Sequence, residues 1–298
     1  MDNIKVDIPN TFNPEEYNKR ELEQLKKSSY LSKYLNDNGI TWDDVSKNVV
    51  LFKSMLVQVE ECRKCKGLSD CVKSHKGYVE LIEKNGICDI YLKPCKYLLE
   101  NNKHNEMLDL YVYGRFNDNL LNLNLSNMEL FKEDYQYMNA WNQIVQYAPN
   151  IDNDKGVYLY GSPGVGKTFL MVALCNTLVA ANKTVAFVNV PEFISDNKNH
   201  IDKNEMDVIK NADFVVFDDI GQESVTNVTR DEILFPLLNA RMQNNKATCF
   251  TSNLSFDLLY NHFVYSQYGD KEDIKALRVM ERIKALSKEV ELSGKSRR

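Results

Sequence analysis

Residues 161–168 have the types and the spacing needed to hold a phosphate group. Their glycines let backbone N–H groups turn inward around an anion, and the start of the following helix adds its dipole. Lys167 can reach the β- and γ-phosphates of a nucleoside triphosphate, and the Thr168 hydroxyl can bind Mg²⁺. The predicted nucleotide-binding residues of this loop are Gly161, Ser162, Pro163, Gly164, Val165, Gly166, Lys167 and Thr168.

A pair of carboxylates, Asp218 and Asp219, directly follows the apolar run Phe214–Phe217. Ligands of parallel sheets lie beyond the carboxyl ends of the strands, so this pair is expected beside the glycine loop. Asp218 is predicted to hold Mg²⁺, and Asp219 to orient the attacking water. Aspartate is one methylene shorter than glutamate, so hydrolysis is expected to be slow if a glutamate is usual at position 219.

Two further side chains have chemistry suited to a triphosphate site. Asn253 ends the next β-rich run, where its amide can contact the γ-phosphate or the water, although such a residue also suits a plain turn. Arg278 and Arg282 lie one turn apart on a predicted helix. A solvated arginine is the simpler interpretation, whereas an arginine finger would complete the site of a neighbouring subunit.

Cysteines cluster upstream of the nucleotide motifs. Cys62 and Cys65 form a Cys-x-x-Cys hook, and Cys95 is the best third ligand for a tetrahedral zinc ion. The fourth ligand stays open among His75, Cys71 and Cys88, with His75 taken into the predicted set. The competing interpretation is a group of small buried cysteines beside an exposed histidine.

The elements that must position these residues alternate between strand and helix. Predicted strands at 157–160, 184–190, 214–217, 247–251 and 290–292 are separated by predicted helices at 169–181, 191–211, 229–243, 256–264 and 271–287. This alternation predicts an α/β fold with a parallel sheet flanked by helices.

The upstream half is predicted to be helical at 15–36 and 49–59, with Thr41 starting another helix. An asparagine-rich stretch with little periodicity separates the two halves, and a helix is predicted from 127 to 147. The predicted organisation is a small helical zinc-binding domain at 1–100, a linker at 101–126 and a nucleotide-binding domain at 127–298.

Bulk composition narrows the class of protein. The 298 residues carry a net charge of −5, which argues against a strongly basic nucleic-acid coat while allowing a local basic patch. The chain has no uncharged apolar run near the ~20 residues of a membrane span, and it begins with a polar segment instead of a signal peptide. A soluble cytoplasmic protein that does not bind membranes is expected.

Taken together, the motifs resemble those of AAA+ ATPases, and more narrowly of the DnaI/DnaC-type loaders of the bacterial replicative helicase. The resemblance rests on residues 161–168, 217–221, 229–238, 250–253, 275–283 and 292–298. Upstream, Cys62, Cys65, the Gly77–Tyr78 pair and Cys95 resemble the zinc-binding, helicase-binding domain of the DnaI branch.

The resemblance implies an ATP-dependent helicase loader that uses ATP, Mg²⁺ and Zn²⁺. Its implied partners are a DnaB-type hexameric helicase, single-stranded DNA and further copies of itself on the helicase. It implies that Asp218 and Asp219 are the Walker B pair, Asn253 is sensor I and Arg282 is the finger. Arg297 or Arg298 is the implied second sensor. Two alternatives remain: a transposition helper ATPase of the IstB type, and a nucleotide-binding adaptor with little turnover.

Overall fold

The structure, a computed structural model, describes residues 13–114, 118–128, 135–266 and 271–297. The chain divides into two compact units, with the boundary after Asn105. Each unit has a hydrophobic core of its own.

The first unit combines helices with a β-hairpin. Its elements are α1 (Pro14–Leu25), α2 (Ser29–Asp37), α3 (Trp42–Lys47), α4 (Val49–Lys64), β1 (Tyr78–Asn85) and β2 (Ile87–Pro94), after which α5 (Lys96–Asp109) leads into the second unit. Thr41 starts α3 as predicted, through a capping box with Asp44. The predicted helix at 15–36 is instead two helices, because the Ser28 side chain caps the start of α2.

The antiparallel hairpin is the feature that the helical prediction for this unit missed. Its strands pair from Tyr78 opposite Pro94 to Asn85 opposite Ile87, and Gly86 turns with a φ of +84°. The Asn-Gly dipeptide between two β-rich runs is a hairpin signal that the sequence does contain. Leu81 and Ile82 bury this hairpin against the helical core.

The second unit is built on a six-stranded sheet whose strand pairs are parallel, which confirms the predicted α/β architecture. The strands are β3 (Tyr111–Tyr113), β4 (Gly156–Tyr160), β5 (Val185–Asn189), β6 (Phe214–Asp218), β7 (Ala247–Ser252) and β8 (Ser287–Glu291). They are ordered β3-β5-β6-β7-β4-β8. The central strands β4, β6 and β7 are buried along nearly their whole length because both faces of the sheet are covered.

Helices cover the two faces of this sheet. They are α6 (Tyr135–Tyr147), α7 (Lys167–Ala180), α8 (Val190–Asn197), α9 (Lys203–Asn211), α10 (Phe235–Gln243), α11 (Phe256–Val264) and α12 (Asp273–Leu286), with a π-helix (Val228–Leu234) before α10. One core cluster contains apolar residues of α6 and α7, and the other contains those of α8 to α12. The predicted helix at 191–211 is two helices, since Asp202 caps a new start.

Part of the predicted linker at 101–126 has regular structure. Helix α5 runs through its first residues, and β3 pairs with β5 at the edge of the sheet. The buried Asn176 side chain donates to the carbonyl oxygens of Leu120 and Leu123, which ties the following segment to α7. Because these contacts are made to backbone carbonyl groups, the asparagine-rich sequence shows no periodic pattern that would have predicted them. The predicted helix at 127–147 is observed from Tyr135, and residues 129–134 lie outside the described chain.

Candidate nucleotide site

The glycine loop connects β4 to α7, as the motif predicts. Gly164 and Gly166 have φ angles of +82° and +101°, a conformation that residues with a side chain rarely adopt. At Gly161 a Cβ atom would lie 1.9 Å from the carbonyl oxygen of Leu292, so the backbone that follows β8 leaves no room for a side chain. The loop therefore requires its glycines for both its shape and its packing.

Lys167 is only 5% exposed and donates into a ring of oxygens. Its Nζ lies 2.8 Å from the Gly161 oxygen, 3.1 Å from the Ser162 oxygen and 2.7 Å from Oδ1 of Asn253. A buried ammonium held by acceptor oxygens can exchange one of them for a phosphate oxygen. This geometry fits the predicted contact with a triphosphate.

Asp218 lies at the carboxyl end of β6, opposite Thr168. The Thr168 hydroxyl donates to the Asp218 carboxylate over 3.1 Å, and the Thr251 hydroxyl donates to it over 2.6 Å. Burial, together with the neighbouring charge of Asp219, raises the pKa of Asp218 to about 6, against the opposing hydrogen bonds. A hydroxyl and a carboxylate brought together in this way are oxygen ligands of the kind that Mg²⁺ prefers.

Asp219 is held in a left-handed backbone conformation, with φ of +59°. Its backbone N–H donates to Oγ1 of Thr251 over 2.9 Å, so the same hydroxyl contacts the Asp218 carboxylate and the Asp219 backbone. Aspartate tolerates this conformation better than most residues with a side chain. The backbone geometry therefore gives a physical reason for aspartate at position 219.

A cavity of about 560 Å³ adjoins these residues. Lys167, Thr168, Asp219 and Asn253 line it, which brings together residues predicted from three separate motifs. Its lining also includes three residues that the sequence reasoning missed: Tyr137, Phe169 and Gln222. Gln222 and Phe169 adjoin predicted motifs, whereas Tyr137 comes from α6 and had no sequence signal.

The arginines implied by the resemblance have different positions. Arg297 lines the cavity, where its backbone N–H donates to the Gly164 oxygen and its guanidinium to the Val165 oxygen, 4.0 Å above the Tyr137 ring. Arg298 lies outside the described residues. Arg282 does not line this cavity.

Arg282 is instead part of a cluster on α12 and α10. It packs over the Phe235 ring together with Arg278, pairs with Glu281 and donates to Oδ1 of Asn239. Its side chain is 22% exposed. The guanidinium is therefore held in place by residues outside the triphosphate site of its own chain.

Comparisons with known proteins agree with this geometry. The family described as IstB-like ATP binding protein matches residues 118–298. The replicative helicase loader DnaI of Bacillus subtilis (strain 168) is 31% identical over 300 residues, covering 94% of each chain. This protein belongs to the DnaI-type helicase loader family.

Solved structures of such loaders share the fold of the second unit. A crystal structure of DnaI superimposes with a TM-score of 0.56 and 32% identity, over 65% of this chain and all of that one. A crystal structure of the DnaC helicase loader superimposes with a TM-score of 0.50 and 21% identity, over 59% of this chain, and shows the likeness of fold alone. The second unit thus has the AAA+ ATP-binding fold of this family.

Four cysteines of the first unit line one cavity of about 360 Å³: Cys62, Cys65, Cys71 and Cys95. His75 and Cys88 are not among its lining residues. Hydrogen bonds from the backbone of Gly77 and Lys73 lower the pKa of the Cys71 thiol, whereas burial raises the pKa of Cys88. Within the described ranges, no group of three or more His, Cys, Asp or Glu side chains is arranged to hold a metal ion.

No helix in the described part of the chain is long and apolar enough to cross a membrane.

Proposed function

We propose that this protein is an ATP-dependent loader that binds a DnaB-type hexameric replicative helicase and single-stranded DNA and delivers the helicase to DNA. The carrying observation is that the similarity to a replicative helicase loader spans 94% of both chains. It therefore includes the first unit as well as the ATP-binding domain. The geometry of Lys167, Asp218 and Asn253 supports a nucleotide-controlled version of this activity.

The residues in and beside the cavity have different roles in binding and hydrolysing ATP. Lys167 binds the β- and γ-phosphates, the glycine loop supplies backbone donors, and Thr168 and Asp218 hold Mg²⁺. When bound, Mg²⁺ neutralises charge on the phosphate oxygens. Asp219 orients the attacking water, and Asn253 senses the γ-phosphate because its amide oxygen already contacts the lysine.

Two arginines complete this proposed ATPase. Arg282 serves as the finger for a neighbouring copy on the helicase, which its position outside the cavity of its own chain supports. Arg297 is the second sensor, because it already lines the cavity beside the glycine loop. Self-association on the helicase is therefore required for full turnover.

Zinc binding by the first unit also belongs to this proposal. Four thiols on one cavity are a suitable donor set for a structural zinc ion, and Cys71 takes the fourth position in place of His75. The hydrogen bonds that lower the pKa of Cys71 favour the thiolate that zinc requires. Because the thiols as described do not form a metal-binding group, their side chains must rotate towards a common centre.

Single-stranded DNA is expected to contact exposed basic residues of the second unit. Lys198, Lys203 and Lys295 are exposed, and they can pair with phosphates while leaving the net charge of the chain negative. Because the sequence has few clusters of basic residues, the binding is expected to be weak and salt-sensitive. A loader of the replicative helicase would act in the cytoplasm.

The family described as IstB-like ATP binding protein leaves a transposition helper as a second candidate. That match begins at residue 118, whereas the similarity to DnaI extends through the first unit, which favours the loader. A nucleotide-binding adaptor without turnover is less well supported, because the chain carries both the lysine and hydroxyl of the glycine loop and two carboxylates after β6.

The proposal is tested by capture of the purified replicative helicase on the immobilised full-length protein, with ATP, with ADP and without nucleotide. We expect stable capture and a change of affinity between ATP and ADP. Absence of capture in every nucleotide state would refute the loader function, and capture of a transposase instead would support the helper.

A further inference from the structure

Glu223 stabilises the turn that follows β6, the strand that leads into the Walker B pair. This side chain is 4% exposed, and its Oε2 accepts the backbone N–H of Gly221 over 2.8 Å. Gly221 has a φ of +92°, and a Cβ atom there would lie 2.8 Å from Leu259 of α11. The turn is therefore held by the hydrogen bond to Glu223 and packed against Leu259 of α11.

This turn carries two residues that line the nucleotide cavity, Asp219 and Gln222. Glu223 does not line that cavity itself. Any displacement of the turn would move the carboxylate of Asp219 relative to a bound triphosphate, and misplacement by about 1 Å is enough to slow chemistry strongly. Glu223 is thus placed to act on the reaction through Asp219.

The other oxygen of Glu223 has an unusual environment. Oε1 is buried and has no hydrogen-bond partner among the described residues, and the same holds for Nε2 of His262 on α11. These two atoms face each other at 3.7 Å, just beyond hydrogen-bond distance. Buried polar atoms are rarely left without partners, because the desolvation of each goes uncompensated.

A small approach of α11 towards the turn would pair the two atoms. Helix α11 begins shortly after Asn253, which contacts Lys167. Glu223 is thus linked to the nucleotide site through the turn that carries Asp219, and His262 through the start of α11. A change at the γ-phosphate can therefore reach the Glu223–His262 pair from Asp219 through the turn and from Asn253 through α11. The two atoms need to approach each other by only about 1 Å, from 3.7 Å to an ordinary hydrogen-bond distance.

We propose that Glu223 and His262 are positioning residues for ATP hydrolysis, whose side chains form a hydrogen bond when ATP occupies the cavity. The closed pair fixes the Walker B turn so that Asp219 is held in line with the attacking water. This inference rests on the proposed function, since it assumes that ATP is hydrolysed at this site. It adds two residues that no motif contains and that do not touch the nucleotide.

Kinetics of full-length variants, assembled with helicase and single-stranded DNA, test the positioning role. Glu223→Ala and His262→Phe should each lower kcat about five- to tenfold and leave the KM and the Kd for ATP within about twofold. Glu223→Gln should keep most of the turnover, because its amide oxygen can still accept from Gly221 and its amide nitrogen can donate to Nε2 of His262. The exposed neighbour Asn261→Ala is the matched control on α11 and should behave as the wild type.

The closing of the pair has its own spectroscopic test. The chain contains four histidines, so ¹⁵N-histidine labelling gives few signals, and the signal lost in His262→Phe identifies that ring. Addition of Mg²⁺ and a non-hydrolysable ATP analogue should shift the His262 Nε2 signal in the wild type and not in Glu223→Ala. An unchanged signal in the wild type, with binding of the analogue verified, would overturn the inference.

The two proposals fail in different ways. If the wild type turns over ATP while Glu223→Ala and His262→Phe match Asn261→Ala, the positioning role is refuted and the loader function stands. If the wild type has no turnover in any assembly, the ATPase proposal fails, and the positioning role fails with it whatever the His262 signal does. Thermal melting of each variant separates loss of folding from loss of turnover, and Glu223→Gln keeps the test usable if Glu223→Ala unfolds.

Discussion

The Nζ atom of Lys167 lies 2.7 Å from Oδ1 of Asn253, which joins the glycine loop to the end of β7. Two residues earlier on the same strand end, the Thr251 hydroxyl donates to Asp218 and accepts from the backbone of Asp219. The end of β7 thus contacts both nucleotide motifs at once. A γ-phosphate that binds Lys167 competes with three acceptor oxygens, of which Oδ1 of Asn253 is one, and through this contact the state of the nucleotide can be passed to this strand and to α11 beyond it.

Asp219→Asn should separate binding from hydrolysis. Asparagine tolerates the left-handed backbone at this position as aspartate does, so the turn keeps its shape while the carboxylate is lost. We expect kcat to fall by at least about tenfold with the Kd for ATP and the melting temperature nearly unchanged. Steady-state kinetics and fluorescent-nucleotide titration measure both quantities, and an unchanged kcat would remove Asp219 from the proposed mechanism.

Asp218 should give the ATP-free protein a specific pH dependence. Its pKa of about 6 lies above the value of about 4 for an unfolded aspartate, so the group contributes stability that is fully present below about pH 4 and lost as the pH rises through about 6. Asp218→Asn should therefore melt above the wild type at pH 7, and the difference should shrink towards pH 4.5. A difference that does not vary between these pH values would contradict the raised pKa.

Arg282 should act on the site of a neighbouring copy. Arg282→Ala and Lys167→Ala should each lose ATP turnover on the helicase, but a mixture of the two should regain part of it. In a mixed assembly, an intact Lys167 site can face an intact Arg282. Lys284→Ala, an exposed residue of the same helix, serves as the control. Failure of the mixture to recover any turnover would show that Arg282 has no role in trans.

Zinc binding by the first unit should depend on Cys71 and not on Cys88 or His75. Cys71→Ser should lower the zinc content well below the expected value of about one ion per chain and should lower the melting temperature. Cys88→Ser and His75→Ala should retain the metal because neither residue lines the cysteine cavity. Metal analysis of protein purified without chelators provides the measurement, and full zinc content in Cys71→Ser would refute this ligand set.

The core of the nucleotide site could be predicted from sequence because each motif combines local residue types with a fixed position on a strand or loop. The glycines between Gly161 and Thr168 determine the conformation of their loop, and Asp218 is the last residue of an apolar strand. In a parallel sheet these strand ends meet at one edge, so the residues of separate motifs converge without further information. Lys167, Asp219 and Asn253 accordingly line one cavity.

The features that could not be predicted depend on contacts between residues far apart in the sequence. Tyr137 reaches the cavity from α6, and Asn176 orders the segment after β3 through carbonyl groups that no side-chain pattern encodes. The Glu223–His262 pair likewise joins a turn to a helix 39 residues later. Cys88 lies on β2 of the hairpin that the sequence reasoning missed, and unlike Cys71 it does not line the cysteine cavity.

Transfer of the helicase onto single-stranded DNA by full-length protein, wild type against Lys167→Ala, tests the loader function most directly. Lys183→Ala is the matched control, since this lysine pairs only with Asp152 among the ion pairs of the described residues and lies away from the cavity. The proposed function predicts that all three proteins capture the helicase, and that wild type and Lys183→Ala deliver it to DNA with ATP whereas Lys167→Ala does not. Equal delivery by Lys167→Ala, or no delivery by the wild type, would contradict it.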